Sequence, residues 1–228
     1  MQVFLTPQQR SFFINNKCIE LEMILPENEL LALKNSAENL LAKRLHVAPE
    51  KLLQKPSADL FKEGRDLWRD DVSVKRTFIS SRVVQMAAAL FQADSLRVGF
   101  THYLIAGADG HSPFPSTPIA LKEICSFNNP LGAVLIKVDE TPSPISEQCP
   151  LPQAMGAALF VSADYKFSFD LLFQTPGQKF YMIFFAPQRA VYILQKNDPL
   201  THLLKKSGYA FGDALQDSTH PLFFKNAL

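Results

Sequence analysis

Residues 179–195 read KFYMIFFAPQRAVYILQ. Bulky apolar residues run without interruption from Phe180 to Phe185, break at Ala186-Pro187, and resume at Val191, Tyr192, Ile193 and Leu194. Aromatic and β-branched enrichment in two short runs around a proline predicts two buried strands. Pro187 has no N–H to give to a ladder, so the chain is expected to bend or leave the sheet there. A strand with one wet face would alternate; this run does not, and it needs apolar cover on both faces. The rest of the chain has to supply that cover.

Read outward from this stretch, the first 93 residues are mainly helical and the remainder mainly strands. Thr6-Pro7-Gln8-Gln9 opens a short helix, with Thr6 as cap, Pro7 in the first turn and Gln9 completing a capping box. Cys18 to Leu25 alternates, with Ile19, Leu21 and Met23 on one face and Glu20 and Glu22 on the other, as in a half-buried strand. After Pro26, Leu30, Leu33, Ala37, Leu40, Leu41 and Leu45 recur at three- and four-residue spacing, the pattern of an amphipathic helix of about five turns. Ser57 is placed to cap a short helix that Gly64 ends, and Asp71 to cap another carrying Val74, Phe78, Val83, Met86, Ala87, Leu90 and Phe91. From Asp94 the texture changes. Leu96 to Ile105 has strand composition, with Leu96, Val98, Phe100, His102 and Leu104 sharing a face. Shorter strands are expected at Leu131–Val138, Ala157–Val161 and Pro221–Lys225, a helical turn or two within Pro118–Cys125, and a short helix opened by Asp198-Pro199 and ended by Gly208. The loops between them carry Gly107, Gly110 and prolines at 113, 115, 142, 144, 150 and 152. Helices followed by many short strands predict an α+β fold, helices packed on one face of an antiparallel sandwich or barrel, in one domain over 1–228 without internal repeats.

Composition narrows the function classes. The 228 residues are 47% hydrophobic and 20% charged, and 23 basic against 22 acidic residues leave a net charge of +1. The basic clusters Lys43-Arg44, Arg65 to Arg69, Lys75-Arg76 and Lys205-Lys206 are short and interleaved, which reads as solvated helix faces and makes nucleic acid an unlikely partner. Cys18, Cys125 and Cys149 are widely spaced without a CxxC, which predicts neither a zinc site nor a disulfide framework. No secretory leader and no run of about 20 apolar residues is visible, so a cytoplasmic protein without a membrane span is expected.

The stretch Asn15–Leu25 leading into the Pro26 helix, then Gly64-Arg65-Asp66-Leu67-Trp68, then the long helix before Leu96–Ile105, resembles the Fe(II)/2-oxoglutarate-dependent oxygenases. The similarity is to the phytanoyl-CoA hydroxylase-like branch. The resemblance implies a double-stranded β-helix (jelly-roll, cupin-like) core, with iron held by two His and one carboxylate and open positions left for 2-oxoglutarate and oxygen. It also implies a near pair written His-x-Asp or His-x-Glu, a distant second His, and a basic residue gripping the distal carboxylate of 2-oxoglutarate.

The five histidines are His46, His102, His111, His202 and His220, and none has Asp or Glu two residues later. Where the near pair belongs, the chain has Asp109-Gly110-His111, in reversed order and in a loop. Asp109 and His111 are therefore the weak metal candidates, with His202 or His220 as distant partner; a solvated turn is the plainer reading. Arg189 is the candidate for the carboxylate grip, against a turn residue in water. His102, on an apolar strand face, reads as a hydrogen-bonded core histidine. Cys125 reads as packing, and Asp139-Glu140 and Asp70-Asp71 are carboxylate pairs by adjacency only.

No nucleophile elbow, Walker loop or dinucleotide fingerprint is present. The expectation is a binding or interaction module that lacks the iron site and needs no cofactor. Its partner would be a small apolar ligand in the barrel or a protein. The alternative is an active oxygenase using Fe(II) and 2-oxoglutarate at an unorthodox metal site, and a third class is an iron-responsive DNA-binding regulator. Within the barrel, Phe side chains either fill the cavity or leave room for a ligand.

Overall fold

The computed structural model describes residues 5–71, 81–146 and 150–225. Val74, Lys75, Arg76, Phe78 and Cys149 lie outside the described residues. Strands β1 (Cys18–Leu21), β2 (Ser95–Ile105), β4 (Gly132–Lys137), β5 (Ala158–Ser162), β7 (Lys179–Ala186) and β8 (Leu222–Lys225) form a six-stranded sheet. Its order is β1-β5-β4-β7-β2-β8 and every pairing is antiparallel. A second sheet pairs β3 (Ile119–Ala120) with β6 (Lys166–Phe167). Among the described residues the α-helices are α1 (Pro7–Asn16), α2 (Glu27–Arg44), α3 (Ser57–Glu63) and α4 (Ser81–Phe91). The architecture is α+β, as expected, and fits a double-stranded β-helix core.

The run that opens the sequence reading is the central strand. β7 lies between β4 and β2, with Met182 opposite Leu135 on one side and His102 on the other. Tyr181, Ile183 and Phe185 enter the core shared with the helices. Phe180, Met182 and Phe184 enter the core beneath the second sheet. Cover on both faces is what an unbroken apolar run requires. The second run is not a strand. Val191–Leu194 is extended but makes only isolated bridges, Tyr192 to Phe127 and Val191 to Ala214, and Leu194 is exposed. Its backbone partners are loop groups, Asn128 Oδ1 at Val191 and the Ser126 carbonyl at Ile193, so no ladder develops.

The face assignment on β2 also needs correction. A β-bulge between Val98 and Phe100 breaks the register. Leu96 and Val98 consequently join the helix-side core, whereas Phe100 and Leu104 join the core between the sheets. A bulge inserts one residue and so reverses every side chain beyond it. That residue is Gly99, where a Cβ would stand 2.3 Å from the Phe127 ring. Near the N-terminus, α1 has the expected capping box on Thr6 and Gln9. β1 stops at Leu21, and Met23, with φ 45°, is exposed instead of sharing the face of Ile19 and Leu21.

Ser57 is the first residue of α3 and not its cap; Pro56 holds the cap position, and Asp109 Oδ1 accepts from both Ser57 N (3.0 Å) and Ser57 Oγ (2.5 Å). An N-terminal donor of α3 is thus satisfied from 52 residues away. At the other end, Gly64 lets the chain lie against β2, where Tyr103 N donates to Gly64 O and Asp66 N to Thr101 O. A Cβ at Gly64 would be 2.2 Å from Tyr103 O and 2.9 Å from Leu60 O, both backbone. Gly64→Ala is expected to lower stability by about 2–3 kcal/mol, the usual scale for overpacking. An unchanged urea midpoint would mean the two backbones are not held this close.

Candidate functional site

Gly64-Arg65-Asp66-Leu67-Trp68 places a set of polar side chains at the mouth of the inter-sheet core. Arg65 bridges to His102 across the short pairing with β2. Arg65 belongs to a basic cluster expected on a solvated face, yet it is 8% exposed. Its guanidinium carbon lies 3.2 Å from the Phe100 ring centroid, and Nη2 is 3.6 Å from Asp198 Oδ2. Phe100 and Asp198 both hold the cation in place, but Arg65 Nε has no hydrogen-bond partner among the described residues. Asp198 is itself tied down: Ser126 Oγ donates to Oδ2 (2.6 Å) and Leu200 N to Oδ1 (2.9 Å). Thr201 Oγ1, 2.8 Å from Ser126 Oγ, extends this buried network.

His102 is the hydrogen-bonded core histidine that the sequence predicts. Nε2 is 2.7 Å from Phe61 O, and a carbonyl only accepts, so Nε2 carries the proton. Burial, reinforced by the Arg65 charge, pushes its pKa down to about 3, so the ring is neutral at pH 7. Beside it, Asp66 adopts a left-handed conformation (φ 54°) and accepts from Thr101 N (2.9 Å), Trp68 Nε1 (3.3 Å) and Arg69 Nε (3.2 Å). Burial works to raise its pKa, but Arg69, Arg65 and the Thr101 amide outweigh it and hold the carboxyl below the usual range. Arg69 Nη2 is also 3.4 Å from His220 Nε2. His220 is fully buried, and desolvation followed by the Arg69 charge pushes it down to about 4.

Among the described residues three cavities meet this set, and one of them, of about 10 Å³, lies between Asp66, Gly99, Phe127 and Ser126. Of the other two, the inner one, lined by Arg65, Phe100, His102, Phe169, Phe184 and Asp198 among others, has a volume of about 10 Å³. That is room for roughly one water. Phe61, Phe100, Phe114, Phe169 and Phe184 line it. The outer one is a cleft of about 380 Å³ between the α3–Arg69 segment and the turn at residues 199–207, with Arg65 and Asp66 lining it.

The candidate metal residues lie elsewhere in role. Asp109 Oδ1 is committed to Ser57, and His111 is 84% exposed with Nδ1 3.8 Å from Asp109 Oδ2. His202 is exposed beside Phe211, and His220 is held by Arg69, Thr219 and Tyr209. Among the described residues no three His, Cys, Asp or Glu side chains gather as a metal-binding group. The inner donors do not fit Fe(II) either, because His102 Nε2 already donates to Phe61 and Arg65 puts a fixed positive charge in the same cavity. Arg189 is exposed in the turn after β7. Cys125 is buried, with Sγ donating to Leu121 O. Sequence reasoning missed the Arg65–Asp198 pair; a basic residue directly after the helix-stopping Gly64 and flanked by the apolar Leu67-Trp68 was the available signal.

The structure is similar to that of solved non-heme oxygenases. The alpha-ketoglutarate-dependent epimerase SnoN from nogalamycin biosynthesis matches over 95% of this chain and 97% of its own, at 15% identity and a TM-score of 0.67. The alpha-ketoglutarate-dependent carbocyclase SnoK of the same biosynthesis covers 96% of each chain at 14% identity, TM-score 0.65. CT296 from Chlamydia trachomatis is matched over 82% of this chain and 98% of its own at 15% identity, TM-score 0.49. No family model and no curated protein sequence matches the chain. At these identities the likeness establishes the fold. Among the described residues, no helix is long and apolar enough to cross a membrane.

Proposed function

We propose that the chain is a non-catalytic protein on the oxygenase-like fold, serving as a binding or interaction module. The observation that carries this reading is the Arg65 guanidinium, buried against Phe100 beside His102 and Asp198 in the barrel. Arginine stays charged throughout the physiological range. A divalent cation brought within about 5 Å of it would meet a repulsion on the order of several kcal/mol at the dielectric typical of proteins. The Phe-lined interior supports the same reading, since a cavity of about 10 Å³ does not admit a substrate.

A second reading has one observation in its favour, the approach of His111 to Asp109. Under it, those two residues hold Fe(II) at an unorthodox site and 2-oxoglutarate is consumed. Anaerobic reconstitution with Fe(II) and 2-oxoglutarate, followed by metal analysis, separates the two. The expected result is substoichiometric iron that does not change in His111→Ala, with no loss of 2-oxoglutarate. About one iron per chain, lost in both Asp109→Ala and His111→Ala, would overturn the first reading and establish the second.

A further inference from the structure

The outer cleft has the chemistry of an anion site. Its walls carry Arg44, Lys62, Arg65, Arg69 and Lys206 against two carboxylates, Glu63 and Asp66, a balance of five positive to two negative charges. Several of these charges are already committed. Arg44 bonds Asp70 and the carbonyls of Glu63 and Arg65, Arg69 is paired with Asp66, and Arg65 faces Asp198 at 3.6 Å. Lys62 and Lys206 are exposed and make no ion pair with any described residue. They stand on the two opposite walls, one on α3 and one on the 3-10 turn Leu203–Ser207. Arg65, more than nine-tenths buried and lining the cleft, retains a buried Nε–H without an acceptor among the described residues. An unsatisfied donor on a buried cation is costly, and an anionic oxygen is the partner that would offset it best.

The apolar part of the lining is confined to one wall, Pro199, Leu200, Leu203 and Leu204. A volume of about 380 Å³ lies in the range of small-molecule sites. We propose that this cleft binds a small organic phosphate, its phosphate held between Lys62 and Lys206 over Arg65 and its apolar portion laid on Leu200, Leu203 and Leu204. Lysines suit this role as mobile point charges that close on a compact multivalent anion. The inference deepens the reading of the chain as a binding module, and it rests on that reading only in needing no reaction.

Titration of the full chain with phenyl phosphate, followed by calorimetry, tests it, with inorganic phosphate and phenol as the two separated halves. Phenyl phosphate is expected to bind at least tenfold more tightly than either half, and the affinity to fall as salt rises. Lys62→Ala with Lys206→Ala, both at exposed positions, is expected to weaken binding at least tenfold while leaving the urea midpoint unchanged. No saturable binding at millimolar phenyl phosphate, or binding that the double substitution leaves intact, overturns the proposal. So does equal affinity for inorganic phosphate, which would reduce the cleft to a nonspecific counter-ion site. None of these outcomes touches iron content or 2-oxoglutarate consumption, so failure here is distinct from failure of the non-catalytic reading.

Discussion

Lowering the pH from about 7 to about 5 is expected to cost the protein on the order of 4 kcal/mol of stability, through two histidines buried in the neutral form. His102 and His220 have ordinary values near 6.5 when unfolded and are pushed down to about 3 and about 4 in the fold. Between 6.5 and those values the unfolded chain takes up protons that the folded chain refuses. Each histidine then shifts the equilibrium toward unfolding by about a factor of ten per pH unit. Their stabilising contribution is fully present above 6.5 and is lost as pH falls toward 4, where His220 begins to protonate in place. The groups around them explain why neither ring ionises easily. His102 faces Arg65 and Arg44, opposed by its hydrogen bond to the Phe61 carbonyl and by Asp66, and His220 faces Arg69, Arg97 and Arg65, with Asp66 opposing. Glu20, whose carboxyl is raised by burial, works in the opposite sense, but it is exposed at a strand edge and weighs little. Urea denaturation at both pH values is the measurement. His220→Gln should lower stability at pH 7 and flatten the fall between pH 7 and 5, and a wild-type midpoint that does not move between these values would rule out the buried neutral pair.

How far the sequence was readable follows from how local each signal is. Helices α1 and α2 carry their own instructions, a capping box in one and an apolar stripe in the other, and both were legible to within a residue or two. β7 was legible for the same reason, because eight residues of its own composition specify a doubly covered strand. The Gly99 bulge was not, because the ring of Phe127 that leaves no room for a Cβ there comes from 28 residues further along the chain. The same distance effect hid the meaning of Asp109. An isolated Asp-Gly-His reads as turn chemistry or as a displaced ligand pair, and only the fold shows its carboxylate capping α3. Arg65 went wrong in the opposite direction. A basic cluster on short periodic sequence is usually solvated, and here the left-handed turn at Asp66 and the close approach permitted by Gly64 put the guanidinium on Phe100. The site is thus made of residues whose neighbours in space are not neighbours in sequence, which composition and spacing do not record.

Asp139→Ala is expected to destabilise the protein by about 3–5 kcal/mol, the scale for breaking a buried ion pair from one side. Lys137 is completely buried on β4, and its Nζ lies 2.7 Å from Asp139 Oδ1 and 4.9 Å over the Phe180 ring. Burial pulls the ammonium's pKa down and Asp139 is what opposes it. The same carboxylate also accepts Lys179 N (3.1 Å) at the start of β7 and Thr141 N (3.1 Å) in the following loop. Removing it therefore strands a buried cation and two backbone donors together, each with its own desolvation cost. The thermal midpoint should drop by on the order of 10 °C for a chain of this length. Adding Lys137→Met to Asp139→Ala removes the stranded charge and keeps the volume, so it should recover about half of the loss. The two amides remain unsatisfied and set the remainder. Recovery in the double variant separates charge from packing, because a purely steric role for Asp139 predicts that Lys137→Met adds a further loss. A cost below about 1 kcal/mol for Asp139→Ala would instead place the pair in contact with water, where such bridges are worth that little.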